Sequence, residues 1–303
     1  MAVINNTSVI PFYESAELQD FRSWWAWGEY YMLYASRNSL LPFYFQMSGI
    51  ESTDTTSIEN VEIYKLCCRP LKPYFQGGDY NLDFSNDFLI YRSASDEYHW
   101  KDSLGAVISN DTIVYYGTPE EDLDLEKGVY YLKFIINVND EQREYFSDAF
   151  VAMDDSELSR FLKIEWYNHE NLEMSDGNTI PYYINSTQFK NLLYLDTDIA
   201  LPSYEFEEEG ENRGGYFFPI RQISYKRYQF TFVAPEYLCD VMRLIRLSDE
   251  VEITDRPEPR NVHRATQFLM TTEWLEQGHY AKVQCEFTTN TVVKMIGKAI
   301  TIM

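Results

Sequence analysis

Four histidines, four cysteines and one dense acidic run are the residues of this chain best able to do chemistry. His99, His169, His263 and His279 lie too far from one another and from any cysteine to form a local metal-binding motif, so each reads first as a packed or surface histidine. His169-Glu170 is only a dipeptide and not part of HExxH. Cys67 and Cys68 are adjacent, Cys239 and Cys285 stand alone, and there is no CxxC. That pattern favours free thiols in a reducing compartment over a disulfide framework or a zinc site. Cys285 sits in an apolar strand phase, where a thiol packs as a small hydrophobe. Gly297-Lys298 lacks the upstream glycine and the hydroxyl of a phosphate loop, and no GxSxG elbow is present.

The acidic run is Tyr204-Glu205-Phe206-Glu207-Glu208-Glu209-Gly210-Glu211. It lacks the alternating Asp/Asn ligands of a calcium loop. Paired carboxylates can hydrolyse glycosides, but only in a cleft that sets their separation, and nothing in the sequence supplies one. The run reads as a solvated hairpin, or as a surface that attracts or repels a charged partner. A second concentration is aromatic: Phe21-Arg22-Ser23-Trp24-Trp25-Ala26-Trp27. Phe21, Trp24, Trp25 and Trp27 would anchor an amino-terminal arm in a core or a neighbouring subunit, large aromatics being common interface anchors. The same rings could stack on a sugar. No cofactor is expected.

The elements that carry these residues are read from hydrophobic period. Ala281, Val283, Cys285 and Phe287 alternate with polar residues; so do Tyr130, Leu132, Phe134, Ile136 and Val138, then Tyr228, Phe230 and Phe232, and also Leu162, Ile164 and Trp166. Period two marks antiparallel strands with one buried face. Turn signals fall at Asn139-Asp140, Gly77-Gly78-Asp79 and Asp176-Gly177-Asn178. The reading is an all-β-dominant chain of two β-sandwich domains: an arm over 1–25, a first domain over 26–153 and a second over 154–303, divided at the polar segment around Asp154 to Glu157. One helix is expected over 235–246: Pro235 suits a first turn, Leu238, Val241, Met242 and Ile245 fall at helical spacing, and Arg243 and Arg246 complement its carboxyl end. A weaker helix is expected over Ser15 to Ser23.

Of 303 residues, 48 are Asp or Glu and 25 are Lys or Arg, a net charge of -23. Such a chain is a poor gripper of nucleic acid, since binding requires phosphate neutralisation. No apolar run approaches the roughly 20 residues of a membrane helix, and Met1 to Pro11 does not look like a secretory leader. The excess of 25 Tyr, 19 Phe and 6 Trp suits half-buried sheet faces and subunit contacts.

A resemblance rests on five strings in order: Glu144 to Phe150, Phe161 to Trp166, Tyr204 to Gly210, Gly215-Tyr216-Phe217-Phe218-Pro219, and Phe232 to Leu238. They resemble structural proteins of tailed bacteriophages of Bacteroidetes, the crAss-like phages, whose ring proteins stack in a neck and tail barrel. The likeness covers roughly residues 128 to 303. It implies a non-enzymatic virion protein with Ig-like sandwich domains, partnered by copies of itself in a ring and by other neck or tail proteins, with DNA only as passing cargo. It transfers no site residues. Glu205, Glu207, Glu208, Glu209 and Glu211 would then line a channel or a contact. The alternatives are a receptor- or glycan-binding sandwich of a phage tail and, more distantly, a carboxylate-based hydrolase.

Overall fold

The computed structural model describes residues 3–4, 9–14, 33–48, 56–67, 74–82, 88–92, 100–101, 107–108, 110–115, 125–167, 190–255, 262–275 and 280–295. Strands dominate, in several mostly antiparallel sheets.

The amino-terminal half is organised on one long strand, β11 (Gly128–Val138). Its alternate side chains Tyr130, Leu132, Phe134, Ile136 and Val138 are all buried, as the period-two pattern requires. Along one edge β11 pairs with β5 (Thr56–Cys67). Along the other it pairs with β12 (Glu141–Ser147) and β13 (Phe150–Met153). The short strands β2 (Phe12–Tyr13) and β3 (Tyr34–Ser36) extend this sheet, β3 running parallel to β13. The β11–β12 hairpin closes through Asn139 and Asp140, both in the left-handed region with φ 53° and φ 65°. That is the two-residue turn that matches strand twist. A further sheet joins β1 (Val3–Ile4), β4 (Phe43–Ser48), β10 (Asn110–Tyr115) and β7 (Phe88–Arg92). Trp100–Lys101 (β8) and Val107–Ile108 (β9) form a two-stranded ladder. The Phe12 ring lies 5.0 Å from Phe43 and 5.5 Å from Phe134, and Phe43 lies 5.7 Å from Phe134, centroid to centroid. Both contacts to Phe134 are edge-on, the geometry that ring quadrupoles favour.

One expected turn is strand. Gly77, Gly78 and Asp79 lie inside β6 (Tyr74–Leu82), which pairs with β5. The register slips there: Ile63 opposes Tyr80 but Lys65 opposes Gln76, so the three residues form a bulge against Tyr64. Glycines that suit a turn also suit a bulge, because both need backbone freedom without a side chain to place.

The polar segment after β13 is a single helical turn, α1 (Asp155–Leu158). It is tied to the amino-terminal half: Ser36 Oγ donates to Asp155 Oδ1 at 2.6 Å, Arg37 Nη1 reaches Asp154 at 3.2 Å, and Lys127 pairs with Glu157 at 3.0 Å and with Asp154. The Tyr34 and Phe161 rings pack beside these at 4.5 Å.

Beyond α1, one sheet has the order β15 (Asn191–Leu195), β14 (Leu162–Tyr167), β18 (Glu250–Thr254), β19 (Val262–Arg264). The other has the order β16 (Ser203–Arg213), β17 (Tyr216–Pro235), β21 (Tyr280–Met295), β20 (Gln267–Trp274). Leu162, Ile164, Trp166, Val251 and Ile253 from the first, and Phe230, Val283, Cys285 and Phe287 from the second, join one buried cluster that is continuous with the amino-terminal core.

The expected helix over 235–246 is shorter and of two kinds. Pro235 remains extended at φ -70° and ψ 161° and caps α2 (Glu236–Met242), after which Arg243–Leu247 tightens into a 3-10 turn. Arg246 therefore falls on the 3-10 segment, a common way to close the last turn. Leu238, Val241, Met242 and Ile245 are all buried, as their spacing predicts.

A candidate contact surface on a projecting hairpin

The acidic run becomes β16, and β17 returns beside it to make a long hairpin. The two-residue connection is Gly214-Gly215, with φ 59° at the first and φ 88° at the second. Hydrophobic period alone does not single out this pair, although Gly-Gly between two alternating runs is a recognised hairpin signal. Among the described residues β21 pairs with β17 from Arg221, opposite Met295, onward. Among the described residues, the last part of the hairpin, 210–219, therefore pairs only with itself.

A bulge marks where support ends. Glu209 opposes Arg221 but Gly210 opposes Pro219, which leaves Ile220 extra on β17. Proline, which cannot donate a ladder hydrogen bond, fits beside such an irregularity. Gly210 is required by space: a Cβ there would lie 2.3 Å from the Phe218 carbonyl oxygen and 2.6 Å from the Phe217 ring.

The glutamates are not a bare anionic stripe. Strand alternation puts Glu205, Glu207, Glu209 and Glu211 on one face and Glu208 on the other. Arg227 Nη1 lies 2.9 Å from Glu205, Arg221 lies 3.7 Å from Glu209, and Arg213 pairs with Glu211. Tyr225 Oη donates to Glu205 at 2.8 Å and to Glu207 at 3.0 Å. These acceptors hold its hydroxyl proton and push its pKa up to about 12. Gln222 donates to Glu208 at 2.6 Å. Residues 203–227 hold five carboxylates and four cations; Arg213, Arg221 and Arg227 pair with glutamates, and Lys226 Nζ lies over the Tyr204 ring at 5.6 Å. The run is acidic in sequence and nearly balanced in space.

Apolar side chains are exposed beside these charges. Tyr204 is 70% exposed, Phe206 60%, Tyr216 73%, Phe217 49%, Phe218 51% and Ile220 38%. Six large apolar side chains are thus exposed on one hairpin, Tyr216 and Phe218 on the face of Glu211 and Tyr204, Phe206 and Phe217 on the other, and exposed rings in this number mark contact with another molecule.

Among the described residues no three His, Cys, Asp or Glu cluster to hold a metal ion, and no helix is long and apolar enough to cross a membrane. His263 packs between Tyr228, at 4.7 Å, and Phe287, at 5.9 Å, and burial lowers its pKa. Cys239 and Cys285 are free and buried, with burial the main cause that raises both thiol pKa values. Phe21, Trp24, Trp25 and Trp27 lie outside the described residues, as do Cys68, His99, His169, His279, the turn expected at Asp176 to Asn178 and the helix expected over Ser15 to Ser23.

Comparison with known proteins finds no matching family model, no similar curated protein and no matching solved structure.

Proposed function

We propose that this chain is a structural subunit of a phage particle, one of many copies in a ring of the neck or tail barrel, where it forms part of a conduit for DNA. The observation that carries the assembling role is the projecting hairpin with Tyr204, Phe206, Tyr216, Phe217, Phe218 and Ile220 in solvent. Isolated subunits that expose such patches bury them on association. The phage assignment rests on the resemblance of the five strings given above, two of which, Tyr204 to Gly210 and Gly215 to Pro219, fall on this hairpin.

In this reading the chain has an arm over 1–25 and two Ig-like sandwich domains over 26–153 and 154–303. Buried residues of both carboxy-terminal sheets join one cluster, which favours that description of the second domain. DNA is cargo and not a ligand, because a subunit of net charge -23 repels phosphate. The balanced charges of β16 and β17 make the hairpin itself a contact element, and any repulsion of DNA comes from the subunit as a whole.

The test is electron microscopy with solution mass on the purified chain and on the variant Tyr216→Ser, Phe217→Ser, Phe218→Ser. The reading expects closed oligomers from the wild type and their loss in the variant. Identical single-chain masses for both at every concentration would remove the assembling role.

A further inference from the structure

The carboxy-terminal sheet has two unlike edges. β16 ends it on one side and β20 on the other, and among the described residues neither outer edge pairs with another strand. Edges of this kind are templates for pairing unless they are guarded by lysine, proline or other charges. β16 carries five glutamates. β20 carries one charged residue, Glu273, and no proline, with Leu269 39% and Trp274 51% exposed.

We propose that β20 of one copy accepts β16 of a second copy in antiparallel register, so that the sheet continues from subunit to subunit. This rests on the reading of the chain as an assembling subunit and adds an edge contact to the one made by the hairpin tip. Three features of the sheet carry it.

The first is direction. All three pairings within the sheet are antiparallel, so its first and fourth strands run in opposite senses. β16 lies opposite 216–227 of β17, and β20 lies at the level of 227–234, so a second copy placed next along the sheet without inversion, and slid along the strand direction by the length of β20, sets its β16 antiparallel to β20.

The second is the match of faces, since directly opposed residues in a ladder point to the same side. Phe230 opposes Cys285, which opposes Met270 on β20, on the buried face. Phe268 and Trp274 share that face by alternation. On the other flank Tyr204 opposes Lys226 and Phe206 opposes Ser224, which alternate with Tyr228 and Phe230 on the same face. The apolar face thus runs out at both edges into exposed rings, Tyr204 and Phe206 at one and Trp274 at the other. The register that sets Tyr204 opposite Trp274 and Phe206 opposite Thr272 brings those rings together on one side.

The third is charge. On the opposite face β16 presents Glu205, Glu207 and Glu209. β20 presents Gln267, Leu269, Thr271 and Glu273, with Lys282 behind it on β21 opposite Glu273. The carboxylates would meet the neutral side chains Gln267, Leu269 and Thr271, two of which can hydrogen-bond, and an exposed lysine, with a single residue of like sign. Two β16 edges paired with each other would set glutamate against glutamate, which is unfavourable. A contact between different edges is heterologous and closes into a ring when the rotation permits.

Two edge variants test this in solution. Leu269→Glu with Thr271→Glu opposes the β16 glutamates with like charge. Tyr204→Asp with Phe206→Asp removes the rings from the other edge. Circular dichroism and melting check folding; if either variant melts well below wild type, Thr271→Glu alone and Phe206→Asp alone replace them. Analytical ultracentrifugation should show wild-type oligomers, monomers for each variant by itself, and dimers in their equimolar mixture, where one intact β20 edge meets one intact β16 edge. Wild-type oligomers unchanged in both variants would overturn the edge contact while leaving assembly in place. Dimers of the Tyr204/Phe206 variant alone, with the Leu269/Thr271 variant monomeric, would replace it by β20 paired with β20. A wild type that is monomeric throughout would remove the assembling role and this contact with it.

Discussion

β11 and the β16–β17 hairpin are built from the same kind of sequence and end in opposite surroundings. Both alternate, and both are rich in Tyr and Phe. On β11, Tyr130 and Phe134 are wholly buried because β5, β12 and β13 flank the strand and Phe12 and Phe43 cover one face. On the hairpin, Tyr216 is 73% exposed, and among the described residues no third strand pairs with the tip. β17 makes the transition within one strand, from exposed Tyr216 to Phe230 at 2% and Ala234 at 0%. Burial is therefore set by how many neighbours reach a strand, and the amphipathic pattern only states which face is available for them.

That contrast can be broken at several points. The largest effect is expected in the covered region: Phe134→Ala removes the ring that Phe12 and Phe43 pack against and should cost about 3–5 kcal/mol in chemical denaturation. Gly210→Ala should cost about 1–3 kcal/mol, because its Cβ would run into the Phe218 carbonyl and the strands must part. Gly214→Ala meets no atom within 4 Å, yet the backbone there lies at φ +59°. A cost of about 1 kcal/mol is expected from conformation alone. Measuring the two glycine variants together separates crowding from backbone preference in one hairpin. The smallest effect on stability is expected from Tyr216→Ser, Phe217→Ser, Phe218→Ser, within about 0.5 kcal/mol in a denaturant titration, as for other exposed positions. A large loss there would mean that the tip packs against this same chain.

The buried thiols give a prediction in pH. Burial raises Cys239 from 9.0 to about 11, and Cys285 is also raised. A thiol whose folded pKa lies above its unfolded value contributes stability that is fully present below the unfolded pKa. That contribution is lost as pH rises from about 9 towards 11. Melting temperature should fall through that window, and Cys239 and Cys285 should resist thiol reagents at neutral pH, as read by peptide mass mapping.

The strands were legible where both faces obeyed period two: 130–138, 162–166, 228–232 and 281–287 are all strand. Asn139-Asp140 was legible as a turn because both residues tolerate positive φ. Gly77-Gly78-Asp79 was not, because glycine permits a bulge and a turn alike, and only the partner β5 decides between them. Of the candidate site, the solvated acidic hairpin was visible in Glu205 to Glu211. The cations that balance it lie across the ladder at Arg221 and Arg227, pairings that depend on register and on a bulge at Ile220. The β20 edge was not visible at all, since an edge is defined by a strand that is missing beside it.

The most direct measurement is sedimentation velocity of the wild-type chain and of the tip variant Tyr216→Ser, Phe217→Ser, Phe218→Ser over a range of concentrations, with electron microscopy of the peak species. The account predicts a closed oligomer for the wild type and its loss in a variant that melts at the same temperature. A wild type that remains a single chain at the highest concentration would contradict it.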